Sequence, residues 1–220
     1  MRLSLQSMFI RLVMLLAIMP IHEYAHALVA YKLGDNTARF NGRMTLNPMA
    51  HLDLFGSIAF ILAGFGWGKP VPIYGSNLRK PKRDMALVAL AGPVSNVLLG
   101  TILVIVYKVL GVVFMQVGFT TGLARAILVI IFTLAQTSVY WAVFNLIPVP
   151  PLDGSRLLEY ILPHSIYYKI EYYQRYIYIA LLVLLFSGIL MGPIVFVSNF
   201  IMKFILFITS PLDLLLNLFL

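Results

Sequence analysis

An apolar run that begins at Met8 ends in His22-Glu23-Tyr24-Ala25-His26, so ionisable side chains sit inside a segment long enough to enter a bilayer. At membrane depth such residues each cost roughly 2.5–3.5 kcal/mol or more, and they are rare unless they act. On a helix, positions four apart share a face. His22 and His26 can therefore reach one zinc ion, while Glu23 is placed to act on a water held there. Ala25-His26-Ala27 has the small-residue shape of a leader cleavage site. Cleavage there would destroy the motif, so the run reads as a retained span.

A span needs about 20 apolar residues. Apolar segments cover residues 5–31, 85–107, 126–147 and 173–190, and a further one at 194–216 is interrupted by Pro211 and Asp213. The chain is 61% hydrophobic and only 11% charged, whereas a soluble domain carries about 25% charged residues. These features lead to an all-α polytopic membrane protein, one domain over residues 1–220. It is expected to have about 5–6 transmembrane helices, with core helices near 5–33, 85–110 and 124–150. C-terminal helices are expected near 173–190 and 194–216. The segment 173–190 is marginal in length. Leu54–Gly66 is shorter still and carries Gly56, Gly64 and Gly66, so it reads as membrane-associated or re-entrant. In Arg39-Phe40-Asn41-Gly42-Arg43, Asn-Gly lies between short alternating runs, which is a hairpin signal. A short membrane-associated β-hairpin or re-entrant region is accordingly expected at about 36–80.

Net charge is +8, but the basic residues gather in loops. No basic stripe on a polar fold is available to track phosphates, so nucleic acid is not an expected partner. Lys32, Arg39, Arg43, Lys69, Arg79, Lys80, Lys82 and Arg83 fall between the first two core helices, and Arg156, Lys169 and Arg175 follow the third. Only Arg2, Lys108 and Arg125 fall in the opposite loops, and Arg11 in the first span is expected to snorkel to that interface. The positive-inside rule then puts both basic loops, and the motif end of helix one, on the cytoplasmic side of a multi-pass cell-membrane protein. The tyrosines between 160 and 178 read as an interfacial aromatic belt. The chain has no cysteine, which excludes disulfides and thiolate metal sites.

Catalytic zinc normally takes three protein ligands. Asp153 stands out as the third. It follows a helix broken by Pro148, Pro150 and Pro151, and Gly154 permits close backbone approach. Glu159 and Glu171 are alternatives, but neither lies in an apolar helix facing the motif. His51 reads as an interfacial loop histidine, with a place in a substrate loop as the alternative, and His164 as no ligand. Gly92 and Asn96 read as small and polar residues that let helix two pack closely on helix one.

Three motifs in order resemble the site-2 protease family of intramembrane zinc metalloproteases. His22-Glu23-Tyr24-Ala25-His26 matches its H-E-x-x-H. Gly92-Pro93-Val94-Ser95-Asn96 resembles its G-P-x-x-N element, and Asn145 through Gly154 matches its N-x-x-P-x-x-x-L-D-G pattern. The likeness covers roughly residues 8–160. The chain lacks the PDZ or CBS insertion of better-known members and looks like the compact branch of bacteria and archaea. The resemblance implies one Zn2+ per chain on His22, His26 and Asp153. It also implies Glu23 as general base and then acid, and Asn145 orienting substrate or holding the oxyanion. Transmembrane proteins would be the substrates and the lipid bilayer the setting. The region after helix one would present substrate as an added strand. Oligomeric state is not readable. A non-cutting homologue and a metal transporter are the rival classes. The intact Glu23 argues against the first, and the absence of a ligand path across the membrane argues against the second.

Overall fold

The computed structural model describes residues 5–217. Helix α1 (Leu5–Val13), a π-helical stretch (Met14–Ile18) and α2 (Met19–Leu33) run on as one rod. The widened turn has a local cause. Pro20 has no N–H, and its ring crowds the carbonyl four residues back, so the ladder opens just ahead of it. Helix α2 ends at Gly34, which adopts the left-handed conformation.

Among the described residues, helices long and apolar enough to cross a membrane lie at Ser7–Leu33, Pro81–Gln116 (α5), Gly122–Asn145 (α6) and Met191–Ile208 (α10). That makes four candidates rather than five or six. The shortfall lies in α9 (Gln174–Phe186), which has 13 residues. At 1.5 Å per residue it is roughly 20 Å long, short of a hydrocarbon core of about 30 Å. The last apolar segment divides into α10 and α11 (Ser210–Asn217), with Pro211 at the division. Lys108 of α5 fastens α11 through Asp213 at 2.6 Å and the Thr209 carbonyl at 3.0 Å. Between α6 and α9 lie α7 (Gly154–Ile161) and α8 (His164–Tyr172).

Helix α5 is the central post, packed along α2 on one side and α6 on the other. Val104, Ala135, Val139, Met202 and Ile205 form the core where α5, α6 and α10 meet. The N-terminus of α5 is capped by Asp84, whose Oδ2 accepts from the Lys80 amide at 2.8 Å while Arg83 pairs with Oδ1.

The expected hairpin is not formed, and no strand occurs among the described residues. Thr37–Phe40 is instead a helical turn, α3. The Asp35 carboxylate starts it by accepting from the Thr37 amide and hydroxyl. Asn41-Gly42 ends it as a Schellman cap: Gly42 has φ 64°, its amide bonds Arg39 O, and the Arg43 amide bonds Ala38 O. The same dipeptide that closes a hairpin also closes a helix, and the Asp35 cap decides between them. The Arg43 guanidinium then ties the loop together through the carbonyls of Ala50, Lys69 and Pro70.

Residues 52–68 make an excursion whose ends meet, with Leu52 bridging Gly68. Between them runs α4 (Leu54–Ala63), capped at its start by Asp53 Oδ1 on the Gly56 amide. Its 10 residues are too few to span. Arg11 does not snorkel outward. It is buried and donates to the carbonyls of Ile61 at 2.8 Å and Leu62 at 3.1 Å, capping the end of α4. A guanidinium thus answers carbonyls that an apolar helix end would otherwise leave bare. His51 lies in the loop after the first span. It is fully buried, with Nε2 2.9 Å from the Thr45 carbonyl.

Candidate metal centre

His22 and His26 project from α2 toward α5, and both are buried. Their Nε2 atoms lie 3.0 Å apart. Asp153 reaches them from the turns that follow α6, with Oδ2 3.1 Å from His22 Nε2 and 3.3 Å from His26 Nε2. This is the one group of three or more metal-ligating side chains found among the described residues. Burial alone would raise the Asp153 carboxyl, but the two imidazoles beside it hold it well below the usual carboxylate range.

The three atoms meet the requirements of zinc. Donors 2.0–2.1 Å from a tetrahedral ion stand roughly 3.3 Å apart, close to the separations observed. Asp153 Oδ2 is buried yet makes no directed hydrogen bond, despite its nearness to both rings. A lone pair aimed at a shared cation behaves this way. Space is kept for the cluster by Gly92 on α5. A Cβ there would stand 2.4 Å from His26 Nε2 and 2.6 Å from His22 Nε2. Gly154 serves Asp153 similarly, since a Cβ would come within 2.3 Å of the Leu146 carbonyl. This is the close backbone approach that the motif led one to expect.

Second contacts fix the rings. His26 Nδ1 lies 2.7 Å from the Val88 carbonyl, and His22 Nδ1 lies 3.1 Å from Asn96 Nδ2. The Trp141 ring stacks near-parallel to His22, at 6.4 Å between centroids, and to Phe60 of α4 at 6.1 Å.

Glu23 is half-buried and its Oε2 accepts from the Val71 amide at 3.1 Å. It shares a cavity of about 200 Å³ with His26, Val71, Val88, Asp153 and Arg156. A larger cavity of about 420 Å³ shares Pro151 and Arg156 with it. Pro151, from the proline break, lines the smaller cavity on one side, and Pro70, Val71 and Ile73 form the wall on the other. Asn145 is not gathered with the cluster. Its Nδ2 donates to the Trp141 carbonyl one turn back along α6, at 3.0 Å. His164 and Glu159 line a separate cavity with Lys82.

Sequence reasoning placed Gly92 and Asn96 at a helix contact and missed that both touch the histidines, although the G-P-x-x-N spacing marked them. Trp141 and the Val71 amide carried no signal: one is an aromatic in an apolar helix, the other a backbone group.

Residues 107–185 match the model of peptidase family M50. A Bacillus subtilis protein named "Putative zinc metalloprotease YwhC" is 43% identical over 166 residues, 74% of each chain. Proteins described in the same words as Rip2 are 29% identical in Mycolicibacterium smegmatis and 30% identical in Mycobacterium tuberculosis. Each match covers 66% of this chain and 52% of the relative, so the chain spans about half the length of these mycobacterial proteins. No solved structure matches the chain. With these likenesses, a His/His/Asp cluster and helices of membrane-spanning length, the chain belongs to peptidase family M50, the site-2 protease family, and is a multi-pass membrane metalloprotease whose metal is zinc.

Proposed function

We propose that the protein hydrolyses peptide bonds of transmembrane proteins, with one zinc ion per chain held by His22 Nε2, His26 Nε2 and Asp153 Oδ2. The convergence of those three atoms, within 3.0–3.3 Å of one another beside a cavity that also admits Glu23, carries this reading. Zinc, when bound, supplies a Lewis acid that polarises the scissile carbonyl and makes water nucleophilic near neutral pH.

The chain's own residues supply the remaining chemistry. Glu23 takes a proton from water in the cavity and returns it to the leaving amine, a role worth about 10²–10⁴ in rate. The Val71 amide holds the carboxylate in place for both transfers. Asn145 leaves the Trp141 carbonyl when substrate arrives and donates to the developing oxyanion. It exchanges one hydrogen bond for another of the same kind. Helical carbonyls are already hydrogen-bonded and shielded, so the substrate must unwind near the cut. Substrates with small or helix-breaking residues there are preferred. The distribution of basic residues supports a site near the cytoplasmic side.

The test measures zinc content and cleavage of a membrane-spanning reporter by purified wild type, Glu23→Gln and Asp153→Asn. Wild type should cut, Glu23→Gln should keep zinc and stop cutting, and Asp153→Asn should lose zinc. A wild type that binds no zinc would end this reading. Equal cleavage of an unbroken polyleucine span would end the unwinding requirement alone.

A further inference from the structure

Asn96 is fully buried on α5 and no step of the mechanism uses it. Its backbone carbonyl accepts from Ser138 Oγ at 2.8 Å, which pins this part of α5 to α6. Its side-chain Nδ2 faces His22 Nδ1 at 3.1 Å, and its Oδ1 has no hydrogen-bond partner.

The hydrogen bonds around the two rings can be followed from one fixed end. The Val88 carbonyl can only accept, so His26 Nδ1 carries a hydrogen and His26 Nε2 a lone pair. A hydrogen lying between the two Nε2 atoms then belongs to His22, and His22 Nδ1 is an acceptor for the Asn96 NH2 group. Metal coordination through both Nε2 atoms removes that hydrogen. His22 then carries its hydrogen on Nδ1 and requires an acceptor. An amide has the same shape with its oxygen and nitrogen exchanged. Turned over, Asn96 presents the otherwise unpartnered Oδ1 to His22.

We propose that Asn96 is a positioning residue for the metal centre, whose Oδ1 accepts the Nδ1 hydrogen of His22 and thereby holds that ring in the zinc-binding tautomer. The inference rests on the assignment of His22 Nε2 as a ligand. The two histidines are then held differently. His26 is preset by a carbonyl, whereas His22 is served by a group that can meet either tautomer. Partners of this kind are typically worth about 10–100-fold in metal affinity.

The experiment is a zinc competition titration against a chromophoric chelator, on the purified full-length protein in detergent. Asn96→Leu keeps the bulk and removes both polar atoms, and should weaken zinc binding by about 10–100-fold. Asn96→Asp offers only acceptors and should bind within a few-fold of wild type. Ser138→Ala cuts the Asn96 backbone link without touching the amide and should leave affinity unchanged. Wild-type affinity in Asn96→Leu overturns the proposal. Should that variant not fold, a tenfold or greater loss in folded Asn96→Asp overturns it. His22→Ala separates the two levels. If His22→Ala binds zinc like wild type, the ligand assignment fails. If it does not, while Asn96→Leu binds normally, only the positioning role fails.

Discussion

The backbone amide of Val71 donates to Glu23 Oε2 at 3.1 Å across 48 residues of sequence. Pro70 and Pro72 flank it and have no N–H to offer, so the donor at this wall of the cavity is Val71. The chain thus comes back from the α4 excursion to fix the acidic residue of the first motif.

Glu23→Gln should therefore fold and load zinc normally, because an amide oxygen still accepts from Val71. It cannot take up a proton, so reporter cleavage should fall by about 10²–10⁴. Metal analysis paired with a cleavage assay checks both halves.

Gly92→Ala should expel the metal. The new Cβ would lie 2.4–2.6 Å from His26 Nε2 and from His22 Cε1 and Nε2, so α2 and α5 must part. Overpacking of this kind costs about 1–3 kcal/mol. Gly111→Ala on the same helix meets nothing within 4 Å and should be neutral or stabilising by up to about 1 kcal/mol. Thermal melts and zinc content of the pair give the comparison.

Arg11→Met should loosen the excursion rather than the bundle. Removing the guanidinium strips a partner from the Ile61 and Leu62 carbonyls, at a cost of about 1–3 kcal/mol. Hydrogen exchange should quicken over residues 54–66 while α5 and α6 stay protected. Uniform exchange across the whole protein would contradict a local role.

The Asp35 carboxylate gives the loop an acid-sensitive component. Burial raises its pKa, but bonds from Thr37, the Tyr74 amide and Asn77 outweigh this and leave it below the ordinary value. A depressed folded-state pKa stabilises above the unfolded value of about 3.9, and that contribution is lost as pH falls through the lowered one. Asp35→Asn should lower the melting temperature at pH 7, and its deficit should shrink below about pH 4. Paired melts across that range check the sign.

How legible the molecule was depends on the range of the interaction. His22 and His26 are joined by helical periodicity, which is written locally, so their shared face followed from spacing alone. Asp153 could be singled out by its proline-broken helix end, and the structure brings it to both rings. Asn41-Gly42 misled because the competing signal, the Asp35 carboxylate, acts through a side chain several residues upstream. Arg11 misled for a similar reason. Its partners are carbonyls some 50 residues away, and backbone acceptors leave no mark in a sequence. The length of α9 was readable as marginal, and its shortness in the structure resolves that margin toward no span.

The stack of His22, Trp141 and Phe60 has an optical consequence. The chain has two tryptophans, and Trp141 lies with its ring plane 17° from that of His22. Indole emission responds to the charge and coordination of an adjoining imidazole. Replacing Trp67 by Phe would leave a single emitter in contact with the metal centre, so the protein would report its own loading in lipid, without substrate and without a label.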